Sequence, residues 1–306
     1  MGMDGMLRIH PEMWKKFRGE CGSAALMRKN FDFSAPAVII SGGSADGPFL
    51  HGFVWDGLAD AAIVGGPHSA PNAYLIYETA KYMAGEHGAL LIYNNFMGDY
   101  LNNDLAQDLL RMDGIRTEQI ILTDDTAMAV KYPHSERNGR IGMTMITKLA
   151  SGLAQSGMSL EDCATKLRYA NERLGSLSMH VDLDNKEVFY GVGTSGEPGI
   201  RTEKNIDIRK AVEIALEYVL DELKPEKNEK LYLLINRMEN ISHFDSCRMA
   251  GIAADYFEHL GYSFGISVGG YLFNQAVYGC DFSILCADAE MQKHMDKKIF
   301  ADSFVI

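Results

Sequence analysis

Short apolar runs that end in small or polar residues recur along the first half of the chain. Ala37-Val38-Ile39-Ile40 empties into Ser41-Gly42-Gly43-Ser44-Ala45-Asp46-Gly47-Pro48, and Ala61-Ala62-Ile63-Val64 into Gly65-Gly66-Pro67-His68. Ala89-Leu90-Leu91-Ile92-Tyr93 empties into Asn94-Asn95-Phe96-Met97-Gly98-Asp99, and Gln119-Ile120-Ile121-Leu122 into Thr123-Asp124-Asp125. Each run reads as a buried strand followed by a turn. Helical periods lie between them, over Ala73 to Ala84 with Gly85 as the stop, and over Leu101 to Met112 with Gly114 as the stop. This alternation predicts a mostly parallel sheet with helices on both faces. In such sheets ligands sit outside the carboxyl ends of the strands, where these turns fall.

Met143 to Gln155 and Leu160 to Leu174 read as two amphipathic helices, joined at Ser156-Gly157 and with Ser159 placed to cap the second. They are expected to close a first α/β domain, residues 1–175. From Gly175 the pattern turns to short strands, Ser178 to Leu183 and Val188 to Tyr190, followed by Gly191-Val192-Gly193-Thr194-Ser195-Gly196-Glu197-Pro198-Gly199. Asp207 to Leu223 and Phe244 to Leu260 read as helices and Leu231 to Asn236 as a strand. With the apolar pieces Gly269 to Leu272 and Phe282 to Leu285 and a polar tail, they make a second α/β domain, residues 176–306. Met1 to Ala35 has little periodicity and reads as an N-terminal arm with one short helix around Pro11 to Phe17.

At 306 residues the chain is long enough for two cores. Its 47% hydrophobic and 10% aromatic content excludes a disordered chain. The net charge of −12 argues against nucleic acid or an anionic membrane as partner, because both demand a basic surface. No apolar run approaches the roughly 20 residues of a membrane span, and no secretory signal opens the chain, so a cytoplasmic location is expected. The five cysteines are an odd number without a C-x-x-C pair and read as buried free thiols.

The glycines Gly42 and Gly43, with Ser44, would let backbone N–H groups approach a small polar ligand closely. Their loop matches neither the dinucleotide fingerprint nor the phosphate loop, so it implies neither nucleotide class. Asp124 and Asp125 fit either a metal site or a helix-capping turn. His180, His243 and His259 lack an i, i+4 histidine partner, and no metal is expected. His68 is open to two readings, an imidazole near a ligand or an exposed side chain on a turn.

Taken together, the loops at Ser41, Asn94 and Gly191 resemble those of the dihydroxyacetone-binding subunit of dihydroxyacetone kinases. That family carries Ser-Gly-Gly-Gly-Ser-Gly-His-Glu-Pro, Lys-Asn-Tyr-x-Gly-Asp and Gly-Val-Gly-x-His-Gly-Glu-Pro-Gly at these places. Its Asp-Asp run followed by Ala-Val is matched by Asp124, Asp125, Ala129 and Val130, and its Gly-Arg-x-Gly by Gly139-Arg140-Ile141-Gly142. The resemblance implies two α/β domains, a homodimer, and a small ketose or polyol held between the three loops by Gly42, Gly43, Ser44, Asn94, Asn95, Ser195 and His68.

In the family the histidine of the third loop captures the ketone covalently, and Ser195 stands there instead. An unactivated hydroxyl is a poor nucleophile, so no covalent ligand is expected. The first loop's histidine is Asp46, while the second loop's aspartate, the family's proton acceptor, is kept as Asp99. Asp46 and Asp99 are therefore the candidate acid/base pair, and like-charge repulsion would separate their pKa values. The second loop's lysine is Asn94. The resemblance implies no cofactor in this chain, the phosphoryl donor (ATP/ADP with Mg²⁺, or a phosphoprotein) being carried by a separate partner subunit. Two further readings stand beside the kinase subunit: a non-catalytic metabolite-sensing coactivator, and a lyase or isomerase reusing the fold.

Overall fold

In the computed structural model, residues 2–20, 24–44, 47–193, 197–271, 278–302 and 304–306 are described. Asp46 and Ser195 lie outside them. The chain divides into two units, residues 1–122 with 146–169, and residues 123–145 with 170–306. A single boundary near residue 175 is the simplest expectation from the sequence. The segment from Thr123 instead groups with the second unit, where Asp125 bridges Ser176 in parallel and the Ser176 amide donates to the Asp124 carbonyl at 2.7 Å.

The first unit opens with helix α1 (Gly2–Ile9) and strands β1 (Trp14–Arg18) and β2 (Ala24–Arg28). This corrects the expected arm with a helix at Pro11 to Phe17. β1 and β2 are antiparallel, and β2 continues antiparallel onto β4 (Ala61–Pro67). The reason is burial: Ala25, Leu26 and Met27 are at most 1% exposed, and the Trp14 indole Nε1 donates to the Val54 carbonyl at 2.7 Å. Trp14→Phe keeps most of that packing but strands the carbonyl, so it is expected to lower stability by about 1–2 kcal/mol in urea unfolding. An unchanged midpoint would show that the indole bond contributes nothing.

Strand β3 (Ala37–Ser44) lies between β4 and β5 (Ala89–Asn94), parallel to both, and β5 is parallel to β6 (Thr117–Leu122). The sheet order is β1-β2-β4-β3-β5-β6. Buried on both faces, Ala37 to Ile40 and Ala89 to Tyr93 are the near-continuous apolar runs that a central parallel strand requires. Helix α2 (Ala73–Met83) is capped by the Asn72 side chain, and α3 (Met97–Met112) packs beside it. Most of α4 (Met143–Gln155) and α5 (Leu160–Glu172) belongs to this unit.

In the second unit the sheet order is β11-β10-β12-β7-β8-β9. The strands are β7 (Leu174–Asp182), β8 (Glu187–Tyr190), β9 (Arg201–Lys204), β10 (Lys230–Arg237), β11 (Phe264–Gly269) and β12 (Gly279–Ala287). Only β10 and β11 are parallel; the other pairs are antiparallel, unlike the first sheet. Helices α6 (Ile208–Leu223) and α7 (His243–Leu260) supply side chains to a core with Leu177, Met179, Leu231, Leu233, Ile235, Phe282 and Ile284 from the sheet. The polar tail forms α8 (Ala289–Met295), capped by Asp288. Among the described cysteines Cys163, Cys280 and Cys286 are buried free thiols as expected, whereas Cys247 is exposed.

Candidate functional site

At the carboxyl end of β3 the chain keeps pairing with β4, but the register shifts between Gly42 and Ser44. The backbone turn after β4 then folds over this end: the His68 amide donates to the Ser44 carbonyl at 3.1 Å. A Cβ on Gly43 would lie 3.1 Å from the Ser69 nitrogen and 3.3 Å from the His68 Cα, so any larger residue there would have to push this backbone turn back by a few tenths of an ångström. The same turn reaches the start of α3, where a Cβ on Gly98 would lie 3.2 Å from the Ala70 Cβ. Gly42, Gly43, Ser44 and His68 are therefore brought together with the second loop. The His68 side chain is exposed, on a backbone with φ of 49°.

The second loop is shorter than the sequence suggests, because α3 begins at Met97 rather than Leu101. Asp99 thus sits in the first helical turn. Phe96, the N-cap residue, offers no side-chain cap, which leaves the helix's first N–H groups and its positive dipole end facing the loop. Asn94 closes β5, and the Asn95 amide donates to the Leu122 carbonyl at 3.0 Å.

Asp99 is 8% exposed and Asn94 9%, and in each the Oδ1 atom is buried without a hydrogen-bond partner among the described residues. Two unsatisfied acceptors at one strand–turn–helix junction are costly unless a donor arrives. Burial pushes the Asp99 carboxyl up to about 7. The shift keeps it poised between acid and base near neutral pH.

Sequence reasoning missed the support beneath Asp99. Asn103, one turn along the same helix face and fully buried, donates from Nδ2 to the Asp99 carbonyl at 2.9 Å. It also bonds the Ser41 hydroxyl at 3.1 Å, tying the end of β3 to α3. An asparagine four residues after a candidate carboxylate on a helix was the available signal.

In the second unit the Asp124 and Asp125 pair is architectural. The Asp125 side chain accepts from the Ala127 amide and caps a short turn, and Asp124 accepts from the amides of Arg140 and Gly142 and from the Ser176 hydroxyl. Among the described residues no group of three or more His, Cys, Asp or Glu side chains could hold a metal. In the third loop the Gly193 amide donates to the Glu197 carbonyl at 3.0 Å, and the Glu197 carboxylate accepts from Asn138 Nδ2 at 2.9 Å. Glu197 therefore shapes the loop from both its backbone and its side chain.

Residues 4–302 match the Dak1 domain. The chain belongs to the Dak1 domain family. It is 26% identical over 276 residues to the dihydroxyacetone-binding subunit DhaK of PTS-dependent dihydroxyacetone kinase 2 from Listeria innocua, covering 85% of this chain and 82% of that one. With the DhaK subunit of the PTS-dependent dihydroxyacetone kinase from Lactococcus lactis it shares 30% identity over 229 residues, 70% of this chain and 68% of that one. The fold overlays on the dihydroxyacetone kinase operon co-activator Dha-DhaQ with a TM-score of 0.87 at 19% identity, covering 99% of this chain and 96% of that chain. The Dak1 match spans both units, so the mixed second sheet is as much part of the domain as the parallel one.

Proposed function

We propose that this Dak1 chain is the ligand-binding, phosphoryl-accepting subunit of a dihydroxyacetone-kinase-like phosphotransferase, acting on a small ketose or related polyol without covalent capture. The observation that carries the reading is Asp99: a buried carboxylate with an unpartnered oxygen, placed where strand β5 delivers the chain into an uncapped helix. A ligand hydroxyl would satisfy that oxygen by donating to it, and a second hydroxyl would serve Asn94. As the hydroxyl oxygen forms its bond to phosphorus and the bond from phosphorus to the donor breaks, the hydroxyl proton passes to Asp99. Gly42, Gly43, Ser44 and Asn95 hold the ligand by backbone and side-chain bonds, and positioning supplies most of the effect.

In this reading the donor, ATP/ADP with Mg²⁺ or a phosphoprotein, belongs to a separate partner subunit, and the chain works as a cytoplasmic homodimer. Relatives named as DhaK subunits of PTS-dependent kinases support that division of labour. Asp46 and Ser195 at the positions of the family's two histidines favour a second reading, a metabolite sensor that binds without turnover.

A thermal-shift panel of dihydroxyacetone, erythrulose, other short ketoses, their phosphates and the matching polyols tests both. A ketose at about 100 times its Kd is expected to stabilise the fold by roughly 2.7 kcal/mol, with no added mass on the intact protein. Phosphorylation of that ketose on adding a donor subunit supports the kinase role, and binding without turnover the sensor. Silence with every ketose and polyol would sink both.

A further inference from the structure

One face of the second sheet is apolar; the other carries Tyr232, Leu234 and Leu285 and, beside them, a polar cluster. Directly opposed residues share a face, so the pairings Asn236 with Asp281, Asp281 with Ser178, Ser283 with Ser176 and Gly279 with His180 place these side chains together on the side away from the α6 and α7 core. All of this polar layer is buried: His180 is 8% exposed, Asp281 3%, and Asn236, Ser176, Ser178 and Ser283 are closed off entirely. Burial of so many polar groups is tolerable only where each has a partner.

Most do. Asn236 donates to Asp281 at 2.9 Å, and Ser176 bonds both Asp124 and Ser283. Arg140 lies across the layer, contacting Asp281 at 2.9 Å and Asp125 at 3.2 Å. The third loop is fastened to the same layer, its Val192 carbonyl accepting from the Ser178 hydroxyl at 2.8 Å and from Arg140 at 3.3 Å. Among the described residues two nitrogens of this layer are left over, His180 Nε2 and Arg140 Nε, both buried and unbonded. A sheet position two residues from the hydroxyl that anchors the loop would be filled more cheaply by an apolar side chain, so the imidazole calls for a partner that the described residues do not provide.

We propose that the polar cluster on the second sheet carries a binding position for a small hydroxylated or carbonyl ligand, with His180 as the recognition residue that hydrogen-bonds one of its oxygens through Nε2. A hydroxyl can donate and accept, and so serves either imidazole tautomer. Burial lowers the His180 pKa, which holds the ring neutral at pH 7 and suited to an uncharged ligand. The position rests on the proposed function, which supplies the ligand class and the probe, whereas the bonds that frame it lie within the second unit.

The test is dihydroxyacetone and erythrulose binding by the full chain, compared with His180→Phe and His180→Gln. His180→Phe removes the unpaired nitrogen, so the ligand-free protein is expected to unfold at an equal or higher urea concentration while the Kd for the ketose rises at least ten-fold. His180→Gln, which can still donate and accept, is expected to recover part of that loss and also covers the case in which the phenylalanine variant does not fold. Ketose addition is further expected to shift the His180 ring resonance of ¹³C-histidine-labelled protein. Unchanged ketose affinity in both variants overturns the assignment and leaves the nitrogen to a buried water. If neither ketose binds wild type at all, the proposed function fails first and this position falls with it.

Discussion

Asp99→Asn is expected to stabilise the protein at pH 8 and, in the presence of a donor subunit, to reduce phosphoryl acceptance by two to four orders of magnitude. Both effects come from one burial. In the unfolded chain the carboxyl ionises near pH 4, whereas in the folded protein it is held at about 7. Between those values the folded state binds the extra proton, so stability falls as pH rises from about 4 to 7 and then levels off. A gap of three pKa units corresponds to roughly 4 kcal/mol lost at pH 8. Asparagine removes the charge but brings an amide that needs partners, so a net gain of about 1–3 kcal/mol is expected, vanishing near pH 4. The catalytic loss follows if Asp99 is the proton acceptor proposed above. Urea unfolding from pH 4 to pH 8 on both proteins, with a phosphoryl-transfer assay alongside, decides it. A flat wild-type profile would show that Asp99 is solvated, and full transfer by the variant would remove it from the chemistry.

The second large effect lies in the other unit. Arg140→Leu is expected to cost about 3–5 kcal/mol at pH 7, because it strands two carboxylates in a buried layer. Arg140 is 4% exposed and bridges Asp125 and Asp281, each equally buried. Burial already raises the Asp125 pKa against the pull of Arg140. Without the guanidinium it rises further, so the variant is expected to regain part of its stability as the pH is lowered and the carboxyls protonate. Arg140→Lys keeps a charge but not the fork that reaches Asp125, Asp281 and Val192 together, and falls between the two. Urea midpoints for the three proteins at pH 7 and pH 5 test the order. A leucine variant as stable as wild type would mean that the network carries no net energy.

Much of the first unit was legible in the sequence because its signals are local. Apolar runs at Ala37, Ala61, Ala89 and Gln119 that empty into glycine, asparagine or aspartate can hardly be other than central parallel strands, and helical periods between them complete the pattern. The candidate site was legible for the same reason: Gly42, Gly43, Asn94 and Asp99 all come within a few residues of the end of such an apolar run. What stayed hidden depends on partners far along the chain. Trp14–Arg18 and Ala24–Arg28 form strands only because β4 offers an edge and Val54 a carbonyl, neither of which local periodicity can show. The start of α3 at Met97 was obscured by Phe96, which gives no capping signal.

Sequence alone determined the alternation of strands and helices, the three loops and the family they belong to, because these are written in residue spacing and motif. Tertiary structure decided which polar groups are sealed from water and which of them find partners. It seated Asp99 in a dry helix turn with Asn103 and Ser41 behind it, turned Asp124, Asp125 and Arg140 into a buried bracket for the third loop, and left His180 Nε2 without a bond among the described residues. Desolvation and pairing set those outcomes, and both are sums over neighbours that only the folded chain brings together.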